Sequence, residues 1–153
     1  MTRIVLWHGS LQRIERLDPA STHDGGVHLG TLEQARMRNS AFLHEVEVTL
    51  GRCRRSRDRG GDWKGRIMAA RAAGFDAIVY LNRYEGLATE VIERLQAQGL
   101  LGRLDGLSDA AFRRHVPEAR DSYILLRPDH LRILSIRTRD TYSFEQEGPT
   151  PCP

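Results

Sequence analysis

Three features of the sequence predict a mixed α+β fold. Short apolar, β-branched runs alternate with short amphipathic ones, in the order strand, helix, strand, helix, strand, helix, strand. The elements are too short to give the long parallel series of a doubly wound sheet. No Gly-rich phosphate loop of the Rossmann or Walker type occurs. Together these observations predict two small sheets with short helices. A chain of 153 residues with 40% hydrophobic content suits one compact domain with a real core.

Arg3 to Trp7 reads as a buried strand that stops at His8-Gly9-Ser10. Leu11 to Leu17 reads as one helical turn or a loop, and Asp18 to Gly26 as a turn-rich connection. Val27-His28-Leu29 is a very short strand ending at Gly30. Thr31 and Gln34 have capping-box spacing, so a helix is expected from Thr31 to about Asn39. Phe42 to Leu50 alternates as a half-buried strand, with Glu45 and Glu47 facing water. His23 and His44 are expected at the surface, and Trp7 and Trp63 in the core.

Gly51 to Gly61 reads as a polar, Arg-rich loop. Asp62 can cap a helix from Trp63 to Ala73, closed by Gly74. Phe75 to Leu81 is an apolar strand that leaves into the polar loop Asn82 to Gly86. Ala88 to Gln98 is an amphipathic helix stopped at Gly99. Ser108 or Asp109 can cap a short helix through His115, whose imidazole suits the dipole there. Asp121 to Arg127 is a buried strand, Pro128 marks a turn, and Ile133 to Ile136 extends as a further strand. Residues 1–140 form the domain, and the polar, Pro-containing residues 141–153 are expected to be a loose tail.

Composition narrows the partners. No apolar run approaches the ~18 residues that span a bilayer, and Met1-Thr2-Arg3 before a short apolar run is no signal peptide. A soluble, cytoplasmic protein without a membrane partner is expected, or one delivered into a target cell by a non-classical route. Cys53 and Cys152 read as two free thiols in a reducing compartment, and no ligand spacing suggests a metal. The net charge is +3, and Lys64 is the only Lys. Arg52, Arg54, Arg55, Arg57 and Arg59 form either a solvated loop or a patch for nucleic acid or another acidic partner.

Candidate chemistry lies in short segments. His8-Gly9-Ser10 places an imidazole and a hydroxyl at a strand end opened by Gly, where they can bond a ribose or an amide. Gly26-Val27-His28-Leu29-Gly30-Thr31 precedes a helix containing Ala35, and Asp121-Ser122-Tyr123-Ile124-Leu125-Leu126-Arg127 forms a late strand. In this combination the chain resembles the ADP-ribosyltransferase superfamily, in the branch of diphtheria toxin and the poly(ADP-ribose) polymerases. Gly74 to Tyr80, Asn82-Arg83-Tyr84-Glu85, and Ser122-Tyr123-Ile124-Leu125 with Pro128 bring it closest to the ADP-ribosyltransferase-like domains of phage polyvalent proteins and bacterial toxins. The resemblance runs from Ile4 to Ile136.

The resemblance implies a split of two small mixed or antiparallel sheets with flanking short helices around an NAD cleft. It implies NAD as substrate, held by His8, Gly9, Ser10, His28, Gly30, Thr31, Asn82, Arg83 and Tyr123. It also implies transfer of ADP-ribose, with release of nicotinamide, to a macromolecular acceptor, protein or nucleic acid, and a neutralising partner protein. The chain departs from the pattern at three places. The pocket Tyr falls on His28, the catalytic Glu on Ser122, and a late Gln on His130. The needed carboxylate is then expected from Glu85, with His8 and Ser122 beside it. Asp121 is second, because one residue along a strand points to the opposite face. The alternative is a catalytically inactive module of the same fold that binds nucleotide, nucleic acid or protein.

Overall fold

The computed structural model describes residues 1–38 and 40–138. The tail expected over 141–153, and Cys152 within it, lie outside the described residues. Among the described residues, seven strands form two sheets, flanked by four α-helices. The first holds β1 (Thr2–Ser10), β3 (Phe42–Leu50) and β7 (Leu131–Thr138), antiparallel throughout with β3 in the middle. The second has the order β2 (Val27–Leu29), β6 (Arg120–Leu125), β5 (Ala77–Asn82), β4 (Cys53–Arg55); only β4 and β5 run parallel.

An antiparallel bridge between Trp7 and Gly30 joins the sheets. Trp7 N–H donates to the Gly30 carbonyl at 2.8 Å, and Gly30 N–H to the Trp7 carbonyl at 3.0 Å. The seven strands thus form one array, β7-β3-β1-β2-β6-β5-β4, split at its middle by a single pair of hydrogen bonds. β7 and β4 are its outer strands.

Apolar alternation explains the packing. Leu6, Val46 and Val48 of the first sheet meet Val27, Leu29 and Leu125 of the second, closed by Leu17. Helix α2 (Lys64–Ala72) lays Ile67 and Ala70 on Ile78, Tyr80 and Ile124. Helices α3 (Thr89–Ala97) and α4 (Asp109–His115) enclose Leu81, Leu95 and Phe112. Every residue of β5 is buried, so both faces of that strand are covered. This is why its sequence is continuously apolar rather than alternating. Among the described residues, no helix is long and apolar enough to cross a membrane.

Local signals explain the helix ends. In α1 (Leu32–Arg36) the Thr31 hydroxyl accepts from Gln34 N–H and the Gln34 side chain accepts from Thr31 N–H, the reciprocal capping box. Ser108 caps α4. Gly74 and Gly99, at φ of +77° and +67°, turn the chain out of α2 and α3.

Several expectations need correction. Helix α1 stops at Arg36 rather than near Asn39, while Leu11 to Leu17 takes the loop form, one of its two expected forms. The Arg-rich segment after Gly51 is not all loop: Cys53–Arg55 pairs with Ala77, Ile78 and Val79 as an edge strand. An edge strand with one side in solvent needs no apolar run, so its composition concealed it. β7 is eight residues long and begins at Leu131. His44 is fully buried, because both ring nitrogens find backbone partners. Glu45 and Glu47 lie partly buried against β7, where Glu45 accepts from the Ser135 hydroxyl and Glu47 from Arg132.

Gly30 makes the sheet junction possible. A Cβ there would stand 2.0 Å from the Gln34 Oε1 atom. Gly30→Ala is therefore expected to lower unfolding free energy by about 1–3 kcal/mol, measured by urea denaturation; an unchanged midpoint would show that the junction yields without cost.

Candidate functional site

The split between β1 and β2 brings the two glycine-flanked segments side by side. His8, near the end of β1, donates from Nδ1 to the His28 carbonyl at 2.7 Å. His28 in turn donates from Nε2 to Asp24 Oδ2 at 2.6 Å, and Asp24 Oδ1 accepts Gly26 N–H at 3.0 Å. Burial lowers the pKa of His8, and the neighbouring His44, Arg38 and His28 charges act in the same direction. The ring is therefore neutral near pH 7, with its proton on Nδ1 and an acceptor lone pair on Nε2. His44 stacks obliquely on it at 5.9 Å. His44 donates from Nδ1 to the His8 carbonyl and accepts Ile14 N–H at Nε2, 2.9 Å. Burial lowers its pKa too.

Gly9 is there for close approach. A Cβ would stand 1.9 Å from Ser40 Oγ and 2.6 Å from the Ala35 carbonyl, so α1 lies directly against β1. Ser10 accepts Gln12 N–H in a local turn, and Thr31 is engaged as the α1 cap.

Behind the crevice runs a buried polar line. The Ser122 hydroxyl donates to Gln34 Oε1 at 2.9 Å and accepts from Asn82 Nδ2 at 3.1 Å. Gln34 Nε2 donates to the Arg120 carbonyl at 3.3 Å, and Asn82 Oδ1 accepts Glu85 N–H at 3.3 Å. Ser122 is 1% exposed and Gln34 is 2% exposed. Ser122, the position that corresponds to the catalytic Glu in the resemblance, is thus sealed behind Gln34. Asn82 acts from below, orienting the Glu85 backbone.

Glu85 faces a crevice lined also by Trp7, Gly9, His28, Gly30 and Arg38. Its carboxylate accepts from Arg38 Nε at 2.8 Å, and both side chains are about one-third exposed. Such a pair stabilises by at most ~1 kcal/mol, so it can part readily. In this closed arrangement the crevice has no interior space large enough for a water molecule. Next door, burial and the Asp105 hydrogen bond push Tyr84 up to about 12, so it stays a phenol that donates to Asp105.

Three predicted residues lie elsewhere. Arg83 is 6% exposed and turns away, donating to the carbonyls of Leu104, Asp105 and Leu107 and to Asp109. Tyr123 packs on the core between the sheets. Asp121, the second candidate carboxylate, is clamped by Arg55 and Arg113. Gln34 and Arg38 were missed as site residues: Gln34 was legible only as a helix cap, and Arg38 follows the helix with no spacing signal. Among the described residues no group of His, Cys, Asp or Glu side chains is placed to hold a metal ion. No protein-family model and no curated protein matches the sequence.

Two outcomes are expected. Gln34→Ala removes a cap and leaves Ser122 without its acceptor, so it should cost about 2–4 kcal/mol in a denaturation titration. The lowered pKa values of His8 and His44 mean that protons bind the unfolded chain more tightly. The stability these residues contribute is complete above their unfolded value, about 6.5, and is lost as pH falls below it. The melting temperature should drop between about pH 7.5 and about pH 5.5, and less steeply in His44→Gln; equal slopes would remove His44 from the account.

Proposed function

We propose that this chain is a mono-ADP-ribosyltransferase of effector or toxin type, which takes NAD in the crevice at the sheet split and uses Glu85 as its carboxylate. One observation carries the reading: Glu85 reaches the same crevice as Gly9, His28 and Gly30, across the junction of the two sheets. That crevice is closed to a molecule the size of water, far short of the ~300 Å³ at which ligand pockets begin, so NAD would enter only as Arg38 and Glu85 separate and the walls move apart. Arg38, released from Glu85, then has a free planar cation for the pyrophosphate.

The chemistry suits the groups. Cleavage of the nicotinamide–ribose bond develops positive charge on the sugar, as in glycoside hydrolysis. A carboxylate beside that charge stabilises the transition state more than the ground state. It can also accept the proton of the attacking group. His8, between Trp7 and Gly9 on β1, does not line this crevice; in this reading it acts only by holding the His28 segment through the His28 carbonyl. The acceptor is a macromolecule, protein or nucleic acid. An active transferase in its own cytoplasm would require a neutralising partner.

The sealed Ser122 favours a second reading, an inactive module of this architecture that binds nucleotide without turnover. Nicotinamide release, followed by chromatography, separates the two. The transferase reading expects release by wild type and a loss of about 10²-fold or more in Glu85→Gln. A thermal shift with NAD but no release supports the binding module; neither shift nor release sinks both.

A further inference from the structure

Basic charge is concentrated on one part of the surface. Residues 52–66 hold six Arg and Lys64 against Asp58 and Asp62, whereas the whole chain has 23 basic and 20 acidic residues. This one stretch therefore carries a larger positive excess than the entire protein. Its two acids serve local turns: Asp58 accepts Gly60 N–H at 3.0 Å and Asp62 accepts Lys64 N–H at 2.8 Å. Some of the arginines are structural. Arg55 pairs with Asp121, and Arg52 caps the Ala73 carbonyl.

The remaining arginines line a continuous groove. A hollow of about 80 Å³ lies between Arg54, Ser56 and Arg66. It shares Ser56 and Arg66 with one of about 260 Å³ that also touches Arg57, Arg59 and one carboxylate, Asp62. That hollow shares Arg59 and Gly60 with a third, about 340 Å³, lined by Arg83, Tyr84 and two carboxylates, Asp58 and Asp105, which are bonded to Gly60 N–H and to the Tyr84 hydroxyl. Two cations are held in place before any ligand arrives. Arg66 lies 3.5 Å over the Trp63 ring and donates to the Arg57 carbonyl at 2.7 Å. Arg57 donates to the Leu107 carbonyl at 2.8 Å. Arg54 and Arg59 are exposed at the rim.

We propose that this groove, from Arg54 through Arg66 and Arg59 to Tyr84, binds the backbone of a single-stranded nucleic acid. Guanidinium groups in a row, two of them pre-oriented, match successive phosphates better than the irregular charges of an acidic protein. The partly exposed Tyr84 ring beside Arg59 supplies a face on which a base stacks. The track ends one residue from Glu85 but does not rest on the NAD reading, since binding requires no NAD.

Fluorescence anisotropy of labelled oligo(U), with the full chain and no NAD, tests it. Binding should weaken steeply with salt. The double change Arg54→Glu with Arg59→Glu should weaken it by about tenfold or more. Arg3→Glu with Arg16→Glu, exposed and distant in sequence, changes net charge equally and should leave most of the affinity. Circular dichroism confirms that both variants fold. Equal losses in the two variants, or no binding at low salt, would overturn the proposal. Capture by poly-glutamate but not by oligo(U) would overturn it in favour of an acidic protein partner.

Discussion

The Gln34 carboxamide is the interaction on which the rest of this structure depends. One oxygen takes the Thr31 amide and the Ser122 hydroxyl; the nitrogen reaches the Arg120 carbonyl. Helix α1 is thereby fixed both to its own first turn and to β6, whose Ser122 passes the connection on to Asn82 and the Glu85 backbone. Gly30 and Gly86 lack side chains where Gln34 occupies the space. Low dielectric makes each of these bonds strong and each broken one costly. One buried amide therefore sets where the two sheets meet and where the candidate carboxylate stands.

Arginine does two kinds of work here. Arg83 and Arg57 both bond carbonyls of the segment 104–107, sharing those of Asp105 and Leu107, and Arg83 also lies 4.8 Å over the Phe112 ring. These guanidinium groups take the place of a regular element in holding that loop. Arg38 differs: it pairs across a crevice with a single carboxylate and is partly in water. A cation so lightly held can change partners, which a cation with four bonds cannot.

Short-range chemistry was legible in the sequence and long-range chemistry was not. The Thr31–Gln34 box, the Ser108 cap and the turns at Gly74 and Gly99 each depend on a few neighbouring residues, and each forms as read. The α+β class and the buried β5 run follow from periodicity alone. β4 escaped notice because an edge strand need not be apolar. His44 looked like a surface residue because its partners, the His8 carbonyl and the Ile14 amide, lie about thirty residues upstream. For the same reason nothing local revealed that Ser122 would be closed off by Gln34, 88 positions away. Glu85 was reached through a resemblance; its neighbour Arg38 had no motif to mark it.

The outer strands of the array have a consequence for how copies of this chain meet one another. Among the described residues no strand pairs with the outer edge of β4 or β7, where a further strand could join. Both carry arginines, Arg54 and Arg55 on β4, Arg132 and Arg137 on β7. Arg55 and Arg132 already pair with Asp121 and Glu47, so exposed Arg54 is the charge that two copies joined at β4 would bring together at strand spacing, about 4.8 Å. Such a charge on an edge strand opposes ribbon growth.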